Sequence, residues 1–427
     1  MTFERLAATL SQQGADVVLP PLRHGQRPGT ARLVDAVSLP VGVLILVELA
    51  DGGRVLAPMV DGESGWRRAV PGDGVSARLL LAQEPLLVNG FGAELVAFEG
   101  PEQSLTVDQT NDSVVVGEQV LVKWQVAVSD APAVAPLILA HLRAVGFAAT
   151  TPCLATVSWG DLLVAQVLEY LPGAQDGWDW MVDELVAALV RGDELSMAWP
   201  GEVGRLLGSF HSAMATPSAS LPEPVVSVAD LAPLQTYFAG LLVASERLDA
   251  EMRAALEPWR PRLAAALAVV GAAHAVPALR IHGDAHVGQV LRWRGGLVLG
   301  DFDGNPLLAP AHRADPGPTA YDVASMLRAL DHVALVAARR VAGGEPGGWE
   351  EPGAAPGVSG PLRAWSTGAR ASFLAAYREA GPVELLDDQL LAAFADLSVL
   401  HEAVYAATYL PRWRHVPLAV LAGGPPL

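Results

Sequence analysis

The pattern of apolar and polar positions divides the chain into a β-rich front part and a mainly helical back part. Between about residues 30 and 100, short β-rich runs such as 41–49 and 77–82 are separated by Asp-Gly-Gly and Pro-Gly-Asp-Gly turns. This alternation of strand and turn signals indicates a small antiparallel sheet. A second β segment, 113–124, contains a Gly-Glu-Gln turn and predicts a hairpin whose second strand carries Lys123.

Helical periodicity takes over after this hairpin. A helix is expected at about 134–145, followed by a strand-like run over 162–171 that ends at Pro172-Gly173. Further on, apolar residues recur at helical spacing over five segments: 181–217, 229–273, 319–342, 361–380 and 387–409. One β interruption is expected at 278–303, and the Gly- and Pro-rich stretch 343–362 predicts an exposed loop.

Length and composition describe a folded chain of more than one compact core. The chain has 427 residues, of which 51% are hydrophobic and 17% charged, so it can bury a substantial interior. Its longest uninterrupted apolar runs, 263–273 and 40–47, are shorter than the roughly 20 residues of a helical membrane span. Cys153 is the only cysteine, which excludes an internal disulfide. With no signal-peptide core at the start, we expect a cytoplasmic protein that does not enter a membrane.

The balance of charge bears on what the chain binds. A formal net charge of -18 argues against a nucleic-acid surface, and an anionic nucleotide would need a locally positive site or a metal ion. By the same physics a cationic substrate would be attracted. Of the 28 basic residues, Lys123 is the only lysine. Because the chain otherwise uses arginine, this single lysine is a candidate functional residue. The alternative is that Lys123 occurs by chance at the edge of a strand and has no functional role.

The densest group of chemically useful side chains lies in two stretches, 281–293 and 297–306. The first contains His-Gly-Asp-Ala-His-Val-Gly-Gln and the second contains Gly-Asp-Phe-Asp-Gly-Asn-Pro. A three-residue turn at Arg294-Gly295-Gly296 would pair Trp293 with Leu297. Counting outward along the two strands from that pair predicts a hairpin with Gln289 directly opposite Asp301.

This predicted hairpin suggests a metal site with a base beside it. Amide and carboxylate oxygens such as those of Gln289 and Asp301 are suited to Mg2+. Asp284 precedes Gln289 by five residues in a glycine-containing loop, where it could accept a proton from a hydroxyl. The plainer alternative is that Asp284 and Asp301 only cap backbone amides in turns.

Phosphoryl transfer requires a carboxylate for the nucleophile, an oxygen pair for a metal ion, and a cation on the phosphates. The order of Asp284, Gln289 and Asp301 follows that of the catalytic and metal-binding loops of the kinase fold. Lys123 would then bind the phosphates, aided by the small polar loop 108–113, which lacks Gly-x-Gly-x-x-Gly. Residues 166–171 would link two lobes and contact adenine through the backbone.

Several longer stretches of the sequence resemble those of a known protein family. They are Gln109-Thr-Asn-Asp-Ser-Val-Val-Val-Gly, Leu121-Val-Lys, Glu169-Tyr-Leu-Pro-Gly-Ala-Gln-Asp-Gly-Trp, His282-Gly-Asp-Ala-His-Val-Gly-Gln-Val-Leu, Asp301-Phe-Asp-Gly-Asn-Pro, Tyr321-Asp-Val-Ala-Ser-Met-Leu-Arg, Glu402-Ala-Val-Tyr and Pro411-Arg-Trp. In these stretches, which run from about residue 100 to the end, the chain resembles the bacterial maltokinases and the wider aminoglycoside-phosphotransferase-like kinases. The Ala-Gln-Asp-Gly-Trp block is similar to the maltokinase branch in particular.

The resemblance implies an α+β, bilobal, protein-kinase-like fold. It divides the chain into an N-terminal cap (1–100), an intermediate nucleotide-binding subdomain (101–172) and a helical C-terminal lobe (173–427). It also implies Asp284 as the catalytic base and Gln289 and Asp301 as ligands of Mg2+. ATP would be bound by four residues: Lys123, Ser113, Glu169 and Leu171.

Two departures from the maltokinase pattern bear on function. Where maltokinases resemble Asp-Phe-Glu-Gly-Glu-Pro, this chain has Asp301-Phe-Asp-Gly-Asn-Pro. This form resembles a group of actinobacterial kinases that phosphorylate glucosamine to glucosamine 6-phosphate. In addition, the helix around 136–143 contains no glutamate to pair with Lys123, as kinases usually have there.

The expected substrate is therefore a small amino sugar. Asp303 and Glu402 would stabilise its ammonium group. Tyr405, Tyr409 and Trp413 could stack on the sugar ring or lie over the cation. The simpler interpretation is helix packing for the aromatic residues and a solvated helix face for Glu402.

Other titratable residues receive more modest roles. His282 and His286 are expected to hold the loop of Asp284 in place, and Asp322 to act as a helix N-terminal acid. His211 is expected to contribute to helix packing.

The alternatives are a maltose 1-kinase, an aminoglycoside phosphotransferase, and a non-catalytic nucleotide-binding regulator. No nucleic-acid or membrane partner is expected, and the chain is expected to be a monomer or a weak dimer.

Overall fold

The computed structural model of the chain describes residues 2–13, 19, 31–63, 65–91, 96–105, 112–343 and 359–422. Backbone contacts divide the chain into two compact units. The first consists of Met1–Ala140 and Thr151–Pro172, and the second of His141–Thr150 and Gly173–Leu427.

The first unit is built mainly from antiparallel strands. Its elements, in chain order, are α1 (Thr2–Gln13), β1 (Ala31–Ser38), β2 (Val43–Leu49), β3 (Arg54–Gly62), β4 (Gly65–Arg68), β5 (Leu86–Gly90), β6 (Glu102–Ser104), β7 (Asp112–Val116), β8 (Val120–Trp124), β9 (Ala127–Val128), most of α2 (Val134–Ala144), β10 (Cys153–Trp159) and β11 (Leu162–Glu169). One sheet has the order β1-β2-β3-β4 with β9 beside β3. The other has the order β5-β10-β11-β8-β7-β6.

Strand β2 shows how the two sheets share an interior. Leu44 and Leu46 point into a buried cluster that also contains Val122 of β8 and Val157 of β10. The intervening Ile45 and its neighbours face a second cluster that includes the apolar side of α1. A strand covered on both faces reads as a continuous apolar run rather than an alternating one. The two sheets exchange strands across residue 100, since β5 joins the second sheet and β9 the first. The predicted division of the chain at residue 100 stays a prediction.

The second unit is mainly helical, as predicted. Its remaining elements are α3 (Gly177–Arg191), α4 (Ala198–Met214), β12 (Val226–Asp230), α5 (Ala232–Ser245), α6 (Ala250–Leu256), α7 (Arg260–Ala272), β13 (His274–Ala278), β14 (Val290–Trp293), β15 (Gly296–Leu299), α8 (Thr319–Val341), α9 (Ser359–Ala380), α10 (Asp388–Thr408) and α11 (His415–Ala422). The α+β, bilobal, kinase-like fold class is thereby confirmed.

The structure corrects several predicted boundaries. The segment 181–217, predicted from helical spacing, contains two helices, because Gly192 ends α3 in the left-handed conformation that glycine adopts without steric cost. The segment 229–273 contains three helices, and its end forms β13, which pairs with β12. That pairing was missed because it joins strands more than 40 residues apart. Of the predicted loop 343–362, residues 359–362 belong to α9 and 344–358 lie outside the described residues.

Helices α8 and α10 form the centre of the second unit. Tyr321 of α8 meets Phe394 of α10 with ring centroids 5.4 Å apart. Helix α10 has the length and apolar composition of a membrane span, contrary to what uninterrupted apolar runs suggested. Its most apolar stretch is 67% buried inside the protein, as expected for the core helix of a soluble protein.

Helices α4 and α9 approach each other closely at Gly204. A Cβ atom placed on Gly204 would lie 2.2 Å from the carbonyl oxygen of Phe373, so only a glycine allows this packing. Gly240 of α5 offers a comparison, since a Cβ atom there would meet nothing within 4 Å.

We expect Gly204→Ala to lower the melting temperature and Gly240→Ala to raise it slightly. Forcing a methyl group against the Phe373 backbone should cost about 1–3 kcal/mol or more. Replacing an exposed helical glycine by alanine should instead stabilise by roughly 0.5–1 kcal/mol. Thermal unfolding followed by circular dichroism would check both, and equal shifts for the two variants would contradict the packing described here.

Candidate active site

The hairpin of β14 and β15 is present, with a register one residue away from the predicted one. Val290 pairs with Leu299 and Trp293 with Gly296, so the turn has two residues, Arg294 and Gly295. Both have positive φ, 47° and 77°, which is typical of a type I′ turn. The predicted three-residue turn is wrong, because Arg294 itself adopts the conformation that the prediction assigned to glycine.

The corrected register changes the partner of Gln289. The amide of Gly300 donates to the Gln289 carbonyl at 2.9 Å, so Gly300, and not Asp301, lies opposite Gln289. Asp301 follows with φ of 59°, a left-handed conformation that costs a non-glycine residue roughly 1–2 kcal/mol. Strain of this kind is concentrated at functional sites. The backbone at Asp301 therefore turns out of the strand as soon as the hairpin pairing ends.

The loop that carries Asp284 is held by the carboxylate of Asp322, at the start of α8. Oδ2 of Asp322 accepts from the backbone amide of His282 at 2.7 Å, and Oδ1 accepts from that of Gly283 at 2.9 Å. His211 Nε2 lies 3.1 Å from the same Oδ2, and both side chains are completely buried. His211 in turn contacts the Tyr377 hydroxyl at 2.7 Å. Asp322 is thus more than a helix N-terminal acid, because it fixes the backbone that presents Asp284.

His282 ties this loop to the end of the hairpin. Its Nε2 lies 2.9 Å from the carbonyl oxygen of Gly300, the residue before Asp301. The predicted supporting role of His282 agrees with this contact.

Two glycines bring the loops of Asp284 and Asp303 together. A Cβ atom on Gly283 would lie 3.3 Å from the Cα of Gly304, so the backbones nearly touch. Arg313 lies near both carboxylates. Burial lowers the pKa of Arg313, while the negative charges of Asp303 and Asp284 raise it.

Arg313 also supports the loop that follows Asp303. Its guanidinium donates to the carbonyl oxygens of Pro306 and Leu308, at 2.6 and 3.1 Å. Nothing in the spacing of the sequence pointed to this residue.

The predicted metal ligands are suited to Mg2+ in their chemistry. His286 caps a short 3-10 turn by accepting the Gly288 amide on Nδ1 at 3.0 Å. The side-chain nitrogen Nε2 of Gln289 lies 3.3 Å from Nε2 of His286. Burial lowers the pKa of His286 to about 4, helped by nearby His282.

Across the described ranges, no group of three or more His, Cys, Asp or Glu side chains could hold a metal ion. A site with one amide and one carboxylate oxygen fits Mg2+, which commonly takes its other ligands from phosphates and water. Gln289 and Asp301 as its ligands stay a prediction.

A buried tyrosine links three of the predicted site residues. Burial raises the pKa of Tyr237 of α5, and the nearby Asp284, Tyr409 and Tyr405 raise it further. The Tyr237 hydroxyl lies 2.5 Å from Nδ1 of His401. Residues more than 100 positions apart in the sequence thus surround one hydroxyl group, which sequence reasoning did not find.

Two of the aromatic residues predicted to contact the sugar, Tyr405 and Tyr409, form a ladder with His401 along α10 and its C-terminal cap. The rings of His401 and Tyr405 stack with centroids 5.8 Å apart, and those of Tyr405 and Tyr409 are 5.3 Å apart. The spacing of four residues places these rings on one face of the helix. Tyr405 and Tyr409 remain partly exposed, so the ladder is not simply buried packing.

Trp413 reaches the loop after Asp284 through a second tryptophan. Its ring lies 5.0 Å from that of Trp178, which lies 6.5 Å from His286. Trp178 was noticed in the sequence only as part of the Ala-Gln-Asp-Gly-Trp block.

Glu402 lies on α10 beside this ladder. Its Oε2 is 2.6 Å from Nε2 of His332 on α8, and 23% of its side chain is exposed. The alternative of a fully solvated helix face is therefore wrong for Glu402.

In the first unit, Lys123 belongs to a row of polar side chains across the six-stranded sheet. Ser113 of β7 and Gln166 of β11 are its direct neighbours in register, and Thr156 of β10 lies beyond Gln166. All four are buried although they are polar, with Lys123 only 8% exposed. These four side chains lie on the sheet face opposite the shared core. The core face is filled by Val122 and by the residues two positions before and after it, Val120 and Trp124.

The row supplies polar neighbours for Lys123 in place of the absent helix glutamate, since α2 contains no acidic residue. Glu169 ends β11, and Leu171 is buried just beyond it. Of the predicted phosphate loop 108–113, residues 108–111 lie outside the described residues. Lys123 belongs to the first unit and Asp284 to the second, and their meeting on one triphosphate stays a prediction.

A kinase-like fold with an aspartate in a firmly held loop, an amide and a carboxylate at the two ends of a hairpin, and a lysine on a strand defines a phosphotransferase of the kinase-like class. The chain belongs to the phosphotransferase enzyme family, whose family model matches residues 135–355. This confirms the resemblance seen in the sequence.

Individual relatives cover nearly the whole chain. A glucosamine kinase of Streptacidiphilus jiangxiensis is 36% identical, over 91% of this chain and 90% of its own length. A glucosamine kinase of Mycolicibacterium smegmatis is 34% identical, over 88% and 94% respectively. A solved structure of a glucosamine kinase in complex with glucosamine, ADP and inorganic phosphate has a TM-score of 0.73 and 31% identity, with 99% of each chain covered.

We expect Asp322→Asn to lower kcat by about a hundredfold while leaving the KM for ATP nearly unchanged. An amide oxygen can accept one of the two backbone bonds, but its NH2 group repels the other donor, so the Asp284 loop shifts. A displacement of about 1 Å in a reacting group typically costs a factor of this size. The matched control is Asp396→Asn, another mostly buried carboxylate, which pairs with Arg262 at 2.7 Å. Similar kcat values for the two variants would show that Asp322 does not position the loop.

Proposed function

We propose that this protein is an ATP-dependent kinase that phosphorylates glucosamine to glucosamine 6-phosphate. The observation that carries the proposal is the close approach of Gly283 and Gly304, which places the loops of Asp284 and Asp303 side by side. One carboxylate can then act on a sugar hydroxyl while another meets the ammonium group. The similarity to glucosamine kinases over nearly the whole chain supports the same substrate.

In the proposed reaction, Asp284 accepts the proton of the sugar hydroxyl as its oxygen attacks the γ-phosphorus of ATP in line. The bond from the γ-phosphorus to the bridging oxygen breaks, and ADP leaves with that electron pair. Mg2+ held by Gln289 and Asp301 would neutralise charge on the phosphates. Asp322 and His282 keep the Asp284 loop in place, so catalysis depends mainly on positioning and on charge stabilisation.

ATP is proposed to bind at the polar row of the first unit. The ammonium group of Lys123 would contact the phosphates, with Ser113 beside it in register. Glu169 and Leu171 would lie at the adenine through their backbone groups. This positive charge matters in a chain of net charge -18, which otherwise repels a triphosphate.

The amino sugar is proposed to bind between Asp303, Glu402 and the α10 ladder. Two carboxylates would hold its ammonium by charge-assisted hydrogen bonds, the stronger kind of polar contact. Tyr405, Tyr409 and Trp413 offer flat apolar surfaces to the sugar ring or the cation.

The remaining properties follow from charge and composition. The acidic surface disfavours nucleic acid, and a chain with one buried cysteine is suited to the cytoplasm. We propose a cytoplasmic enzyme, acting as a monomer or a weak dimer, without a membrane partner.

We expect Asp284→Ala to abolish phosphoryl transfer while nucleotide binding is retained, because the alanine cannot accept the hydroxyl proton. ADP release in a coupled assay measures transfer, and calorimetric titration with an ATP analogue measures binding. Asp193→Ala, at an exposed aspartate after α3, is the control and should behave like the wild type. Near-normal turnover by Asp284→Ala would show that the base is another residue.

We expect Asp303→Ala to reduce discrimination between glucosamine and neutral sugars. Loss of a charge-assisted hydrogen bond should raise the KM for glucosamine by roughly ten- to a hundredfold. The ratio of kcat/KM for glucosamine to that for glucose or maltose should fall with it. An equal loss on all three sugars would instead assign Asp303 to general catalysis.

A further inference from the structure

We infer that His332 is a positioning residue for substrate selection, which holds the carboxylate of Glu402 in the orientation that receives the amino group. This inference rests on the proposed function and assigns a role to a histidine that no sequence motif singled out. It concerns side chains of α8 and α10 within the second unit.

The contact between these side chains is short. Nε2 of His332 lies 2.6 Å from Oε2 of Glu402. Among the residues that the structure describes, neither atom forms a hydrogen bond with any other group. Two lone pairs at this separation would repel each other, so Nε2 carries a hydrogen that it shares with the carboxylate.

Burial makes this contact important for Glu402. The His332 side chain is 10% exposed and that of Glu402 is 23% exposed. A carboxylate removed this far from water needs a donor, or its charged form becomes costly. Enough of Glu402 remains accessible for a small cation to reach it, so the pair has a buried side and an open side.

The position of His332 is fixed by the residues around it on α8. The neighbouring Asp331 accepts from Arg370 of α9 at 2.7 Å. One turn earlier, Arg328 donates to the carbonyl oxygen of Ala395 on α10 at 3.2 Å. These bonds lock α8 against both neighbouring helices. The imidazole is therefore in place before substrate binds, which is the purpose of a supporting residue behind a binding group.

The surroundings connect this pair to the reacting loops. His401, the neighbour of Glu402 on α10, contacts the hydroxyl group of Tyr237, which lies near Asp284. Glu402 directly follows His401, the first ring of the aromatic ladder, and lies about one turn of α10 before Tyr405. The carboxylate thus lies where a sugar held near Asp284 could present its amino group.

An imidazole suits this role better than a permanently charged side chain. It can donate one hydrogen bond from Nε2 and leave the negative charge of Glu402 in place for an ammonium group. Arginine or lysine at position 332 would neutralise that charge and repel the substrate.

The test compares two amides of different length. In His332→Gln the amide nitrogen can reach approximately the place of Nε2, whereas in His332→Asn it falls short of Glu402. We expect His332→Asn to raise the KM for glucosamine roughly tenfold or more, the usual worth of a hydrogen bond to a charged group. Its kcat and its KM for ATP should change little. His332→Gln should restore most of the affinity for glucosamine.

His274→Gln serves as the matched control, since His274 is an exposed histidine of β13 in the same unit. A second comparison uses Glu402→Gln. If His332 acts through Glu402, then His332→Asn should add little to the loss that Glu402→Gln already causes. Independent losses that multiply would overturn the inference.

The outcomes separate this inference from the proposed function. A wild-type protein that does not phosphorylate glucosamine overturns both. Turnover of glucosamine by the wild type, with an unchanged KM in His332→Asn, overturns the role of His332 alone. A parallel fall in kcat for glutamine and asparagine variants would indicate a structural role instead, and would also overturn it.

Discussion

The buried carboxylate of Asp322 is the constraint on which the proposed active site depends. It accepts two consecutive backbone amides, those of His282 and Gly283, and it contacts His211 in the interior of the helical unit. A buried charge is stable only when its hydrogen-bonding capacity is satisfied, so the loop before Asp284 has little freedom. His282, through its contact with Gly300, and Gly283, through its contact with Gly304, fix the adjacent loops relative to this one. A single carboxylate thereby sets the position of the proposed base relative to Asp303 and to the end of the hairpin.

The chain is acidic, and the proposed site must bind both an anionic nucleotide and a cationic sugar. Lys123 is buried in a polar row on one sheet face, where its charge is less screened than at the surface. Arg313 lies near Asp284 and Asp303, and His332 contacts Glu402, so a basic side chain accompanies each of these carboxylates. In the proposed site, the residues assigned to the substrate are therefore accompanied by neighbouring basic side chains. His332 lies on α8, a segment for which the sequence predicted only helical spacing, and Arg313 follows a short 3-10 turn.

Several parts of the fold and site could be predicted because they depend on local sequence. The strand and helix periods, the Gly-rich turns and the order of Asp284, Gln289 and Asp301 are visible in short windows. The hairpin was predicted too, but its register was wrong by one residue. The turn at Arg294-Gly295 has a non-glycine residue with positive φ, and a single residue in a turn decides every cross-strand pair beyond it. The pairing of β12 with β13 could not be predicted, because three helices separate the two strands and no short stretch of sequence contains both.

The sequence alone determined the class of chemistry and the residues that could perform it, because carboxylates, an amide and a lone lysine are identified by residue type and spacing. Only the tertiary structure decided which side chains support them. Asp322, Arg313, Tyr237 and His332 each lie close to residues that are tens to more than a hundred positions away in the chain. Their partners are set by helix packing and loop contacts, which depend on the shape of the whole unit. The periodicity of a helix shows which face is buried, but it does not show which residue of another helix will meet that face.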